Sequence, residues 1–220
     1  MKIESLFNLE ETIAKELLQS EEYPWEVLPK IKDYILKIGP NLDKNIFNQV
    51  DDEVWIAKSA KVAPTASITG PTIIDENAEI RHCAFIRGKA IIGKNTVVGN
   101  STELKNCILF NNVQVPHYNY IGDSILGHKA HMGAGSINSN IKSDKKNIQI
   151  KINATEQIET NLRKVGAFIG DEVEVGCNSV LNPGTIIGRK SIIYPLSCVR
   201  GIIPENSIYK NKNEIVEKKL

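Results

Sequence analysis

The stretch Ile86-Arg87-Gly88-Lys89-Ala90-Ile91-Ile92-Gly93-Lys94-Asn95-Thr96-Val97-Val98-Gly99-Asn100-Ser101-Thr102-Glu103-Leu104 decides the fold of this chain. Large aliphatic residues recur every six positions, at Ile86, Ile92, Val98 and Leu104. Moving towards the N-terminus, the beat continues through Ile80, Ile74, Ile68 and Val62 to Ile56. Towards the C-terminus it slips twice, to Leu109, Val115 and Ile121 and then to Leu126 and Met132. It resumes at Ile169, Val175, Leu181, Ile187, Ile193 and Val199. A helix would repeat every 3.6 residues, and half-buried strands would alternate every two with Asn-Gly-type hairpin turns between them. Period six fits neither. Three hexads make one triangular coil, and the aliphatic residue of each points inward onto its equivalents in the next coil. The expected fold is therefore an all-β, left-handed parallel β-helix of hexapeptide repeats. A glycine often follows the aliphatic residue, as at Gly93, Gly99, Gly122, Gly127, Gly133, Gly170, Gly176 and Gly188. The expectation is that it supplies backbone angles that a side chain would forbid at the corners. A small residue tends to sit three places further on, as in Ala78, Ala90, Thr96, Thr102 and Ala130.

Residues 1–50 have a different texture and are expected to form a small N-terminal helical appendage to a β-helix domain spanning 51–220. Asn8 with Glu11 suggests a capping box ahead of the stripe Leu9, Ile13, Leu17. A second helix is expected to start at Pro24, run through Trp25, Leu28, Ile31, Ile35 and Ile38, and stop at Gly39-Pro40. Both stripes read as packing faces. No glycine precedes Gly39, so this region holds no glycine-rich phosphate cradle.

Charge is balanced, with 27 basic and 26 acidic residues among 220, which points away from nucleic acid and anionic membranes as partners. The first residues lack the apolar run of a signal peptide, and no later stretch has the length of a membrane span. Cys83, Cys107, Cys177 and Cys198 lie far apart without a C-x-x-C pair, which suits reduced thiols in a cytoplasmic protein.

The repeat breaks between about residues 138 and 164, a polar and basic segment carrying Lys142, Lys145, Lys146, Lys151, Arg163 and Lys164. Alone it would read as a solvated loop. It follows Gly133-Ala134-Gly135, however, and three of the four histidines, His117, His128 and His131, precede it closely. His82 is isolated and reads as a surface or packing residue. No histidine pair has the H-x-x-x-x-H spacing of the zinc-binding carbonic anhydrases built on hexad repeats, so no metal site is expected.

Three segments carry a resemblance. They are Gly99-Asn100-Ser101-Thr102-Glu103-Leu104-Lys105-Asn106, His117-Tyr118-Asn119-Tyr120-Ile121-Gly122-Asp123-Ser124, and Gly133-Ala134-Gly135-Ser136 with Asn140. Over residues 55 to 205 the chain resembles the acetyltransferase half of the bifunctional UDP-N-acetylglucosamine pyrophosphorylase/glucosamine-1-phosphate acetyltransferases. Residues 162–171 look especially like archaeal-type members. The N-terminal region does not resemble the pyrophosphorylase half, so a stand-alone transferase module is expected. The resemblance implies acetyl-CoA as cosubstrate, a homotrimer with sites at subunit boundaries, and an amino-sugar 1-phosphate as acceptor. It gives His117 the role of general base that frees the amine, a role suited to imidazole. Arg87 and Lys105 match residues that hold the sugar phosphate, where a guanidinium and an ammonium suit a dianion. Tyr120 and Asn140 match sugar and acetyl contacts, and Lys146 matches a further basic contact. Ala134, Cys177 and Pro195 match coenzyme contacts, with Lys210 near the coenzyme phosphates. The chain departs from the pattern at His131, where bacterial enzymes place a sugar-binding asparagine, and at Ile141, which replaces a tyrosine. Both leave the choice between glucosamine and galactosamine phosphates open. Two other readings remain: an O-acetyltransferase whose histidine activates a hydroxyl, and a non-catalytic trimeric sugar-phosphate-binding scaffold.

Overall fold

The computed structural model describes residues 1–152 and 156–218, so residues 153–155 of the expected interruption and the last two residues of the chain lie outside it. From residue 54 onward the chain winds as a left-handed parallel β-helix with three faces. The first face stacks Val54–Ala57, Thr72–Ile74, Ala90–Ile92, residues 107–109, residues 124–126, Ala167–Ile169, Thr185–Ile187 and Ile202–Ile203 in parallel register. The second runs from Lys61–Val62 through Gln114–His117 and His131–Met132 to Ser207–Asn211. The third runs from Ser67–Ile68 through residues 103–104 and 120–121 to Cys198–Val199. The hexad residues form the inward column. Ile86, Ile92, Val98, Leu104, Leu109, Val115, Ile121, Leu126 and Met132 are all completely buried. The small residues Ala78, Ala90, Thr96, Thr102 and Ala130 are buried as well.

The glycine that follows each aliphatic residue has a different reason from the one expected. The left-handed angles fall two places later, at Asn95, Ser101, Lys129, Gly135, Glu172, Asn178 and Lys190. What the glycine provides is room for the next coil. A Cβ at Gly99 would sit 1.5 Å from the Pro116 carbonyl oxygen, and one at Gly176 would sit 2.4 Å from the Pro195 nitrogen. Gly99→Ala therefore forces two coils apart. Overpacking of this kind costs about 1–3 kcal/mol or more, so thermal unfolding should show a clear drop; an unchanged midpoint would refute the close-approach account.

Both register slips fall at one corner, between the third and first faces. Strands Glu103–Leu109 and Tyr120–Leu126 cross that corner without a break, with Asn106 and Asp123 in left-handed conformation at the bend. In the following coil the same corner holds the interruption, residues 139–166. It is not merely a solvated loop. It carries an antiparallel strand pair, Gln149–Lys151 with Gln157–Glu159, and buries Ile148 and Ile150 near Gly184.

The N-terminal helices lie along the first face rather than over the end of the stack, where Val62 stays 37% exposed. That face bears a second, outward row of apolar residues: Trp55, Ile73, Ile91, Ile108, Ile125 and Phe168, all buried. Trp25 packs on Phe168 with ring centroids 6.2 Å apart, Phe7 on Phe110 at 5.2 Å, and the Trp55 ring fills the space beside Gly39. The backbone of residues 6–11 is pinned as well, with Leu6 O accepting from Asp171 N and Glu11 O from Asn111 N. The Asn8/Glu11 capping box does not form. Asn8 Oδ1 accepts from Glu10 N, while the Glu11 carboxylate turns to the β-helix and accepts from Asn111 Nδ2. Pro24 does open a helix, Pro24–Val27, capped by Glu26 Oε2 accepting from Tyr23 N at 2.8 Å. The chain tightens over Leu28–Lys30 and continues as Ile31–Ile38.

Candidate functional site

His117 ends the strand Gln114–His117, at the corner between the second and third faces. Its neighbour Asn119 sets this turn. Asn119 Oδ1 accepts from His117 N at 3.1 Å, while its Nδ2 donates to the carbonyls of Gly133 and Ser136 at 2.9 and 3.0 Å. The imidazole is exposed. Successive coils then place one residue each below His117 on this corner. His117 O accepts from Gly135 N, Ala134 O from Asn178 N, and Cys177 O from Leu196 N. His117, Ala134, Cys177 and Pro195 thus form one column down the edge of the prism. Asn100 stands directly above His117, and His82 above that.

At the other edge of the third face, Arg87 and Lys105 follow the inward residues Ile86 and Leu104 and stand one above the other. Each already has a carboxylate. Arg87 Nη1 lies 2.6 Å from Glu103 Oε1, and Lys105 Nζ lies 3.4 Å from Asp123 Oδ2. The hydrogen bond and charge of Glu103 raise the Arg87 guanidinium further, so it stays a cation. Tyr120 is half-buried on the same face, paired with Glu103 across the coils. Asn140 Nδ2 donates to the Tyr120 hydroxyl at 3.2 Å and to Asp123 Oδ2 at 2.6 Å. Burial first, then the Asp123 and Glu103 carboxylates, push the Tyr120 phenol up, so it keeps its proton and remains a donor. Gly122 makes this packing possible, because a Cβ there would sit 2.5 Å from the Tyr120 hydroxyl.

The structure thus joins Arg87, Lys105, Tyr120 and Asn140 on one face, with His117 at its far edge. It does not bring every expected residue there. His131 starts its strand opposite Gln114, on the flat of the second face, with Nδ1 2.6 Å from Glu174 Oε2. Lys146 is exposed on the inserted segment, its backbone N–H donating to Asp144 Oδ1. Lys142, Lys151 and Arg200 instead line a cavity of about 500 Å³ with Ser139 and Asn182. Ile141 is 38% exposed at its rim. Lys210 pairs with Glu214 at 2.5 Å. Among the described residues no group of three His, Cys, Asp or Glu side chains is placed to hold a metal ion, and no helix is long and apolar enough to cross a membrane.

Residues 68–193 match the family described as the GMPPB C-terminal domain. The chain belongs to that family. It is also similar to two longer archaeal proteins. One is the Bifunctional protein GlmU of Methanococcus vannielii, 35% identical over 89% of this chain and 47% of the relative. The other is a Bifunctional sugar-1-phosphate nucleotidylyltransferase/acetyltransferase of Sulfurisphaera tokodaii, 29% identical over 73% of this chain and 44% of the relative. The chain therefore spans about half the length of the curated relatives it matches. Among solved structures, the acetyltransferase domain of PglB from Neisseria gonorrhoeae FA1090 in complex with acetyl coenzyme A is a distant likeness. Its TM-score is 0.35 at 14% identity, covering 75% of this chain and 57% of that one.

Two polar residues of this GMPPB C-terminal domain chain carry structural weight at the site without having been singled out from the sequence. Asn119 and Asp123 are both buried, and their side chains bond to groups of the site's own corners. Their signal was available: a buried asparagine and an aspartate at strand bends, where short polar side chains satisfy backbone or side-chain groups locally.

Proposed function

We propose that the protein is an acetyl-CoA-dependent N-acetyltransferase acting on an amino-sugar 1-phosphate, with His117 as general base. The observation that carries this reading is the column on one edge of the prism. His117 stands directly in line with Ala134, Cys177 and Pro195, one residue per coil. An extended pantetheine lies naturally along such an edge and delivers its thioester beside the imidazole. The acceptor then occupies the third face, its hydroxyls towards Tyr120 and Asn140 and its phosphate towards Lys105 and Arg87.

The chemistry follows from those positions. An ammonium is no nucleophile, so His117 takes one proton and frees the lone pair of the amine. The nitrogen attacks the acetyl carbonyl, a C–N bond forms, and the C–S bond breaks. The thiolate of coenzyme A leaves and takes up the second proton that the attacking nitrogen gives up, so the product amide keeps one N–H. The phosphate has to compete with Glu103 for the Arg87 guanidinium, which disfavours an acceptor carrying no strong anion. As in the trimers that the family resemblance implies, a neighbouring subunit closes the exposed side of this face.

Thiol release from acetyl-CoA tests the reading directly, with glucosamine-1-phosphate, galactosamine-1-phosphate and unphosphorylated glucosamine as acceptors. Release with a phosphorylated amine supports it, and silence with all three sinks it. Lys105→Met should raise KM for the phosphorylated acceptor about 10-fold or more, since a hydrogen bond between charged groups is worth about 1.5–3 kcal/mol. KM for acetyl-CoA should change little. An equal rise in both would place Lys105 outside the acceptor subsite.

A further inference from the structure

Asp123 sits where the two shortened corners and the insertion meet. It occupies the second of the two shortened corners, with φ +49°, a conformation that L side chains rarely adopt. Its side chain is 7% exposed and is held from three directions. Asn106 Nδ2 donates to Oδ1 at 2.8 Å from the coil above, Asn140 Nδ2 donates to Oδ2 at 2.6 Å from the coil below, and Lys105 Nζ stands 3.4 Å from Oδ2. Its backbone carbonyl accepts from Gly166 N at 2.7 Å, where the inserted segment returns, and Asn140 O accepts from Val165 N at 3.0 Å. One residue therefore links the ammonium, the Tyr120 hydroxyl (through Asn140) and both ends of the insertion.

We propose that Asp123 is a positioning residue that sets Lys105 and the Asn140–Tyr120 pair in place for the acceptor phosphate. The proposal rests on the amino-sugar phosphate reading above. A lysine side chain is long and flexible, and holding it at one point on a surface costs conformational entropy. A buried carboxylate at 3.4 Å removes that freedom before the ligand arrives. The contact is long enough for an incoming phosphate oxygen to take over the ammonium without Asp123 losing its two amide donors. The carboxylate thus keeps its shape while the cation changes partner.

The test is a double-mutant cycle on the full chain, Asp123→Asn and Lys105→Met, singly and together, read as KM for the phosphorylated amino sugar and for acetyl-CoA. Asp123→Asn should raise the acceptor KM about tenfold, the size of one charge-assisted contact, with the acetyl-CoA KM unchanged. In the Lys105→Met background the same change should add little, because the two residues act through one interaction. Additive effects, or equal loss towards both substrates with a lowered melting temperature, would overturn the proposal and leave Asp123 a structural residue only. Should Asp123→Asn fail to fold, Lys105→Arg decides. It keeps the charge but shifts its point of contact, so a wild-type acceptor KM would overturn the proposal and a KM near that of Lys105→Met would support it. The cycle is also read as the Kd of inorganic phosphate. If the wild type acetylates no amino sugar, the functional reading falls while Asp123 is still judged by phosphate binding; no phosphate binding by the wild type sinks both.

Discussion

His117→Ala should lower turnover about 10²–10⁴-fold, the usual contribution of a positioned general base, and leave the fold intact. The imidazole is exposed, and the turn that presents it is held by Asn119 and by backbone bonds that alanine retains. The loss should therefore appear in kcat, with the KM values for acceptor and acetyl-CoA nearly unchanged, as expected when a group acts in the transition state rather than in binding. High imidazole should restore part of the rate by occupying the vacated space. Unchanged turnover in the variant would remove the mechanism, whether the attacking group is an amine or a hydroxyl. A fall in kcat accompanied by a lower melting temperature would instead mark His117 as part of the corner.

The sequence showed the coil so plainly because stacking imposes the same requirement on every turn. Ile92, Val98 and Leu104 each meet an equivalent above and below, so one position repeats at one period. The two slips, at Leu109 and Leu126, were legible too, since each displaces the beat by one residue. The reason for the glycines was not. Gly99 and Gly176 are needed because of Pro116 and Pro195 in the next coil, and a period shows that a position is small without showing what approaches it. Doubled aliphatics such as Ile73-Ile74, Ile91-Ile92 and Ile125-Leu126 carried the outward row of the first face, but the inward beat masks them unless each strand is read for both sides. In the site, residues that stand one per coil kept their alignment: Ala134, Cys177 and Pro195 fall in line with His117. Asp123 stayed hidden because its role depends on where Asn140 and Gly166 meet, and an insertion hides the geometry of its own ends. His131 shows the opposite limit. The family resemblance matches it to a sugar-binding position, while in the structure it pairs with Glu174 on the second face.

Deleting residues 1–46 should cost this chain its solubility and its cooperative fold. Trp55, Ile73, Ile91, Ile108, Ile125 and Phe168 form a continuous apolar row on the first face, and the helices cover it through Phe7, Trp25, Ile31 and Ile35. Removing that cover exposes large side chains worth roughly 1.5–3 kcal/mol each. Their sum is comparable to the whole of a domain's stability, about 5–15 kcal/mol. The bared patch also exceeds what a soluble monomer ordinarily shows, so aggregation should accompany unfolding. Expression of residues 47–220 alone, with the soluble fraction and the thermal transition as readouts, checks this. Supplying residues 1–46 as a separate chain should recover soluble protein, because the contact is a packing face rather than a covalent necessity. A truncated chain that stays soluble, unfolds cooperatively and keeps its acetyltransferase rate would show that the helices are an appendage and that the coil stands without them. Trp25→Ala gives a graded version of the same result. Loss of a buried tryptophan costs about 3–5 kcal/mol, and the resulting fall in melting temperature should leave both KM values unchanged, because Trp25 packs on the first face while His117, Tyr120 and Lys105 serve the third.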